Sequence, residues 1–197
     1  IFFKDSAFKW TFDDNGNITD TELLGSLIEN KHVDDNRYHV SHALAINTSG
    51  VAVGYSTAFV DSDETNPTIS ESVSTYAVIF KDGEVIDITE DRTTNYASRA
   101  FDINENGIAV GHVTENINGS ARTSAFYIDT NIEGSAMTFT GSFFNGSSSS
   151  AKAINDNGFI VGEAEYESHS DTQIPRRRNA FLYDTNTETL TNINDFL

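Results

Sequence analysis

Four oxygen-bearing side chains near the start of the chain are the first residues whose spacing could do chemistry. Asp13, Asn15, Asn17 and Asp20 fall in one short stretch, and carboxylate and amide oxygens are the ligands that calcium prefers. The stretch lacks the glycine at the sixth position and the closing bidentate glutamate of an EF-hand calcium loop. A plain hairpin turn at Asn15 and Gly16 is the alternative interpretation. Calcium at these four residues is the one cofactor that the sequence suggests.

The remaining reactive side chains form no catalytic pattern. The chain has no cysteine, which excludes thiol nucleophiles, disulfides and thiolate metal sites. The sequence contains no Gly-x-Ser-x-Gly elbow, Gly-rich phosphate loop or His-Glu-x-x-His pair. His39 and His42 are three residues apart in a predicted strand, hence on opposite faces and badly placed to share a metal ion. We therefore assign no catalytic residue and expect a protein that is not an enzyme.

Charge narrows the classes of partner. Thirty acidic residues against twelve basic ones give a net charge of −18, and such a surface repels nucleic acid and anionic membranes. No apolar run approaches the roughly 20 residues of a membrane-spanning helix. The single basic cluster, Arg176 to Arg178, either docks an acidic partner or balances neighbouring carboxylates. We expect a protein or glycan partner, no nucleic acid and no membrane insertion.

A sequence pattern that occurs three times predicts the scaffold on which any reactive groups must be positioned. The pattern A-x-[AD]-I-N-x-x-G-x-x-V-G occurs at residues 43–54, 100–111 and 151–162. Each copy predicts a β-hairpin, since asparagine side chains bond to nearby backbone and glycine adopts the positive φ of the turn. We interpret the asparagines as turn residues, with a ligand-binding row as the alternative. The closing glycines Gly54, Gly111 and Gly162 predict close backbone approach or a bulge.

A second element recurs beside these hairpins. Small-then-bulky apolar runs lie at residues 7–10, 77–80, 125–128 and 180–183. Three of them are nearly continuous in apolar residues, which indicates a strand covered on both faces. A further extended run follows most of them, so that the unit contains four strands, and its length fits propeller blades of about 40 to 50 residues.

The predicted fold is all-β: a β-propeller-like array of four-stranded repeat units, about three and a half of them. They lie in a single domain, 1–197, as units at 1–56, 75–113, 124–163 and 179–197. A propeller closes with about 4 to 8 blades. The chain is therefore expected to be a fragment of a larger propeller in a longer protein, or to be completed by another chain through self-association of the incomplete fourth unit.

Several segments lie outside the two repeated elements. Leu23, Leu24, Leu27 and Ile28 have helical spacing, against which Gly25 favours a loop. Residues 56–74 and 164–179 are predicted to be exposed loops. The Gly/Ser-rich residues 141–150 are predicted to be a mobile loop.

The pairing of these two elements resembles a known family. Ala7-Phe8-Lys9-Trp10, Ala125-Phe126-Tyr127 and Ala180-Phe181-Leu182-Tyr183, together with the three hairpins, resemble the HAF-type extracellular repeats and the related bacterial DUF3466 family. The resemblance implies a propeller-like β fold and export to the surface of Gram-negative-type bacteria, and it brings no catalytic residues. We expect a secreted or cell-surface protein, with the periplasm as the alternative location.

Two function hypotheses follow. The leading one is a non-catalytic extracellular or cell-surface binding module, in which long loops and blade edges contact a glycan or a protein. The alternative is an extracellular hydrolase or lyase that acts on polymers, with its site in the propeller axis. The alternative predicts inward-pointing polar groups with perturbed pKa values at one end of that axis.

Overall fold

A computed structural model describes residues 4–28, 39–60, 72–89, 91–168 and 174–196. Their elements, in chain order, are β1 (Lys4–Asp5), β2 (Ala7–Phe12), β3 (Ile18–Gly25), β4 (His39–Ile46), β5 (Ala52–Phe59), β6 (Val73–Lys81), β7 (Glu84–Asp87), β8 (Asn95–Ile103), β9 (Ile108–Ile117), β10 (Ser120–Asp129), β11 (Thr138–Phe139), β12 (Ser149–Ile154), β13 (Phe159–Glu165), β14 (Arg178–Asp184), β15 (Thr189–Asn192) and a 3-10 helix (Ile193–Phe196). The predicted all-β class is confirmed.

The strands form four sheets that follow the chain. Sheet 1 has the order β1-β4-β5-β6-β7, sheet 2 the order β11-β10-β9-β8, and sheet 3 the order β12-β13-β14-β15. Strands β2 and β3 form a separate two-stranded sheet, the first hairpin. Neighbouring strands are antiparallel except for β1, which pairs with β4 in parallel.

The repeated sequence forms the predicted hairpins. Each copy supplies two adjacent strands of a sheet: β4 and β5, β8 and β9, and β12 and β13. The turn glycines Gly50, Gly107 and Gly158 have φ values of 81°, 78° and 82°, in the left-handed region that glycine tolerates. The apolar Ala-Phe runs supply the third strand of each sheet, and in β6 five consecutive residues are buried. The expected covering of this strand on both faces is confirmed there.

The sheets pack face to face in chain order. Ala7 and Leu24 of the first hairpin pack on Val78 and Phe80 of sheet 1. The opposite face of sheet 1 and the facing residues of sheet 2 form the largest apolar cluster, and a third cluster lies between sheets 2 and 3. Within the described residues no cluster joins sheet 3 to the first hairpin, so the sheets form an open stack. Closure into a complete propeller stays a prediction.

The sheets divide the chain at different points from the repeat units drawn on the sequence. Those units begin at the Ala-Phe strand, whereas in each of sheets 1 to 3 the Asn-x-x-Gly hairpin comes before the Ala-Phe strand. Strands β14 and β15, which fall in the fourth unit, therefore complete sheet 3. Counted by sheets, the half unit is the first hairpin, and the unit boundaries drawn on the sequence stay a prediction.

Three local predictions are wrong in part. Leu23 and Leu24 lie in β3, which runs to Gly25, because pairing with β2 outweighs the helical spacing. Of the loop predicted at 141–150, residues 141–148 lie between β11 and β12 as expected, whereas Ser149 and Ser150 begin β12 and residues 147–150 are buried. The loop predicted at 56–74 is also wrong at its ends, because residues 56–59 are the buried end of β5 and residues 73–74 begin β6. Its residues 61–71 lie outside the described part. No helix in the described ranges has the length and hydrophobicity needed to cross a membrane.

Candidate functional site

The calcium candidates form the turn between β2 and β3. Oδ1 of Asp13 accepts hydrogen bonds from the backbone N–H of Asn15 at 2.9 Å and of Asn17 at 2.8 Å. The Asn17 side chain also donates to Asp13, and these bonds hold the pKa of Asp13 below its usual value. Asp20 lies on β3 opposite Thr11. The turn thus gathers three of the four candidates, and among the described residues no cluster of three His, Cys, Asp or Glu could hold a metal ion. Calcium binding stays a prediction.

The asparagines of the repeated turns tie neighbouring sheets together. Asn47, Asn104 and Asn155 each accept the N–H four residues ahead, at 3.1, 2.9 and 3.0 Å. The side-chain amide of Asn47 then donates to the carbonyl oxygen of Asn104 at 3.3 Å, and that of Asn104 to the carbonyl oxygen of Asn155 at 3.0 Å. Asn47 and Asn104 are buried, whereas Asn155 is exposed. The row of asparagines is therefore part of the scaffold.

Acidic side chains repeat the same connection one residue later. The Glu105 carboxylate accepts the N–H of Thr48 at 3.0 Å and also its hydroxyl. Asp156 accepts the N–H of Glu105 at 2.9 Å, and its carbonyl oxygen accepts the Asn106 amide at 2.8 Å. Part of the acidic surplus thus bonds the turn of one sheet to the turn of the next.

A serine two residues before each hairpin motif makes a third connection, which our sequence interpretation missed. Ser41, Ser98 and Ser149 are 1%, 0% and 2% exposed. Ser98 Oγ accepts the N–H of Ala77 at 2.7 Å, and Ser149 Oγ accepts that of Ala125 at 3.0 Å. Ser41 Oγ donates to a carbonyl oxygen of the first hairpin at 2.6 Å. Aligning the three copies two residues further back would have found this signal.

The closing glycines allow a bulge in each first strand. A Cβ on Gly54, Gly111 or Gly162 would overlap the backbone carbonyl oxygen of the facing strand. The pairing register shifts by one residue opposite these glycines, at Leu44, Phe101 and Lys152. Strand β8 has a second shift at Tyr96. The expectation of close approach or a bulge is confirmed. Bulges re-aim side chains and are common next to functional sites.

Side chains around these bulges form a continuous surface, which we call the bulge stripe. Its residues are His42, Tyr55, Arg99, Phe101, His112, Lys152, Glu163 and Arg178. The guanidinium of Arg99 in sheet 2 lies 4.4 Å from the ring centre of Tyr55 in sheet 1. The ammonium of Lys152 in sheet 3 lies 4.8 Å from the ring centre of Phe101 in sheet 2. The stripe therefore crosses all three sheets.

The bulge stripe concentrates cations on an acidic protein. Arg99, Lys152 and Arg178 are exposed, and Glu163 is the carboxylate among them, 3.5 Å from the Lys152 amine and 2.8 Å from Arg178. Ring faces and ammonium or guanidinium groups bind ligands that combine apolar surface with negative charge. No sequence motif marks these residues apart from the glycines that permit the bulges.

His112 is the titratable group of the stripe whose acidity changes most clearly. Its ring lies edge-on to Phe101 at 5.1 Å between centres, and Nδ1 is 2.8 Å from Ser150 Oγ. Burial, followed by the positive charges of Lys152 and Arg99, lowers the pKa of His112 from 6.5 to about 4. The imidazole is therefore neutral at pH 7 and can accept or donate a hydrogen bond.

The basic cluster predicted as a docking element is paired within the chain. The ion pairs are Arg176 with Glu165 at 3.0 Å, Arg177 with Glu167 at 2.7 Å and Arg178 with Glu163 at 2.8 Å. Glu165 is buried, and a second arginine, Arg122, lies 3.4 Å from it. These contacts favour the counter-charge interpretation for Arg176 and Arg177, whereas Arg178 shares Glu163 with Lys152 and remains an exposed member of the bulge stripe.

A groove of about 800 Å³ opens between sheets 1 and 2 beside β7. Ile79, Ile88 and Ile128 line its apolar part, and Asp82 and Glu133 are among its carboxylates. Its negative charge makes it a poor match for an anionic ligand. The bulge stripe is the better candidate for such a ligand.

Comparison with known proteins agrees with the resemblance to DUF3466, whereas the HAF label stays a prediction. A search of curated proteins and a search of solved structures each found no match. The model of the DUF3466 family, described as a protein of unknown function, matches residues 1–197. The chain therefore belongs to the DUF3466 family.

Proposed function

We propose that this chain is a non-catalytic binding module, secreted or at the cell surface, and that the bulge stripe contacts an extended anionic glycan. The main support is that the bulged residues differ from sheet to sheet much more than the residues that flank them. Five of the six residues that flank the bulges are alanine, with Asp102 as the exception, while the bulged residue changes from Leu44 to Phe101 to Lys152. In repeat proteins, variable positions on a constant scaffold are where binding surfaces lie.

The length and charge of the stripe support an extended ligand. Contacts at Arg99 and Lys152 connect one sheet to the next, so a chain-like ligand can lie across all three. The exposed cations attract negative groups, while the partly exposed ring of Phe101 offers an apolar face. Because the rest of the surface is acidic, binding is expected to weaken as salt screens these few cations.

The proposal is tested by binding of the purified chain to immobilised neutral and anionic polysaccharides. We expect retention on an anionic polysaccharide, and at least about tenfold weaker affinity for Phe101→Ala and Lys152→Ala, the range of interface hot spots. Ile132→Ala is the control, since Ile132 is 61% exposed and lies outside the stripe. Equal binding by all variants, or none by the wild type, would contradict the proposal. Retention of a surface protein in place of a glycan would redirect it to a protein partner.

The enzyme alternative has one specific observation in its favour. His112 and Ser150 have the separation of a general base and a hydroxyl nucleophile, and His112 has the perturbed pKa that the alternative predicts. Ser150 is only 2% exposed, however, which supports a structural role for the pair. Polysaccharide depolymerisation that is abolished by Ser150→Ala in a folded protein would establish the enzyme instead.

A further inference from the structure

The two ends of the stack expose apolar residues that occupy equivalent positions to buried residues inside it. At one end, the head face consists of Phe8, Trp10, Phe12 and Leu23 of the first hairpin, which are 44%, 53%, 58% and 58% exposed. At the other end, the tail face consists of Phe159, Val161, Ala180 and Leu182 of sheet 3, with Phe159 37% and Val161 40% exposed. Their equivalents elsewhere show what each face is built to contact.

Head-face positions pack on the preceding sheet wherever one is present. Phe8 and Trp10 are the second and fourth residues of the Ala-Phe run. The same positions in the later runs are Val78 and Phe80, Phe126 and Ile128, and Phe181 and Tyr183, all at most 4% exposed. Each of these pairs belongs to the cluster shared with the sheet or hairpin before it. Phe8 and Trp10 thus have the side chains of an inner interface, and no sheet among the described residues covers them.

Tail-face positions receive those side chains. Val161 is equivalent to Val53 and Val110 in the hairpin repeat, both 0% exposed. Val53 lies in the cluster that includes Phe126, and Val110 lies in the cluster that includes Phe181. Leu182, directly opposite Val161 in the sheet, is equivalent to the buried Ile79 of the same cluster as Val53.

We propose that the head face of one copy of this chain docks on the tail face of a second copy, continuing the stack across molecules. The occupant of the tail face is then an Ala-Phe strand, as at every internal interface. Such a contact joins two different surfaces, so it extends into chains or closes into rings rather than stopping at a symmetric dimer. The first hairpin has no Asn-x-x-Gly turn. In the docked pair it therefore offers no turn to contact Asn155 and Asp156, which stay exposed to solvent.

The test uses one charge on each face. Trp10→Asp blocks the head face, and Val161→Asp blocks the tail face; both residues are exposed in a single copy, so the monomer should fold. Ile132→Asp is the matched control for a charge on an exposed apolar residue of another surface. Analytical ultracentrifugation over a range of concentrations gives the oligomeric state, and circular dichroism confirms folding.

We expect the wild type and Ile132→Asp to associate with increasing concentration, and each face variant alone to remain monomeric. A mixture of Trp10→Asp and Val161→Asp should form a dimer and nothing larger, because it contains one intact head and one intact tail. A monomeric wild type at about 100 μM, far above the Kd of ordinary specific interfaces, would overturn the proposal. Monomers in the mixture, or association of either face variant alone, would also overturn it. If Val161→Asp fails to fold, Leu182→Asp replaces it.

Discussion

Replacing Gly54 with alanine should be among the most damaging single changes in this chain. A Cβ there would overlap the carbonyl oxygen of His42 and lie 2.8 Å from its carbonyl carbon and 3.1 Å from Cα of Ala43. All three are backbone atoms of β4, so no side-chain rotation relieves the clash. Strand β4 would have to move away from β5 at the bulge, with loss of strand pairing and of sheet packing.

The expected cost follows from comparison with a second glycine in the same hairpin. Overpacking costs about 1–3 kcal/mol even where side chains can adjust, so we expect Gly54→Ala to lose about 3–4 kcal/mol. Gly50 has a φ of 81°, and a Cβ added to it would meet no other atom within 4 Å. Gly50→Ala therefore meets only the left-handed backbone penalty of about 1–2 kcal/mol.

Thermal and urea unfolding of the two variants measure this difference. At about 2–4 °C per kcal/mol for a chain of this size, Gly54→Ala should lower Tm by roughly 10 °C and Gly50→Ala by roughly 4 °C. Equal shifts for the two variants, or a Gly54→Ala protein within about 1 kcal/mol of the wild type, would refute the close approach of β4 to β5.

Two further predictions concern charge. His112 has a pKa of about 4 in the folded chain against an ordinary value of 6.5. As the pH falls, the unfolded chain is therefore protonated before the folded one. The free energy of unfolding keeps the full contribution of His112 above pH 6.5 and falls by about 2–3 kcal/mol as the pH drops to 4. His112→Gln should remove that component from the pH dependence of urea unfolding, and an unchanged profile would contradict it. Arg176→Ala should lower the free energy of unfolding by about 2 kcal/mol, because it removes one of the positive charges that balance the buried Glu165 carboxylate. Arg177 has a side chain that is 73% exposed, so Arg177→Ala should change the free energy of unfolding by less than about 0.5 kcal/mol. Similar losses for the two arginine variants would show that burial of the first pair does not matter.

Local patterns in the sequence predicted the parts of the fold that depend on local chemistry. The Asn-x-x-Gly turns form as expected because the side chain of Asn104 and the positive φ of Gly107 act within one hairpin. The bulges were predictable for the same reason, since Gly111 signals close approach by its position in the repeat.

Features that depend on neighbouring sheets were not predictable in this way. Ser149 looked like part of a flexible Gly/Ser-rich loop because its composition says nothing about the Ala125 N–H that it meets in the neighbouring sheet. The bulge stripe was missed because Arg99 and Tyr55 are far apart in the sequence and meet only when the sheets stack. The repeat units drawn on the sequence begin at a different strand from the sheets because a tandem repeat has the same period wherever its boundary is drawn.

The stacking of sheets through repeated side-chain contacts is tested most directly by amide hydrogen exchange at Ala77. Its N–H is bonded to Ser98 Oγ in the next sheet at 2.7 Å, and both residues are 0% exposed. The account predicts slow exchange at Ala77 in the wild type and a selective acceleration in Ser98→Ala, with the neighbouring amides of β6 unchanged. Rapid exchange at Ala77 in the wild type, or exchange unaffected by Ser98→Ala, would contradict the stacked arrangement.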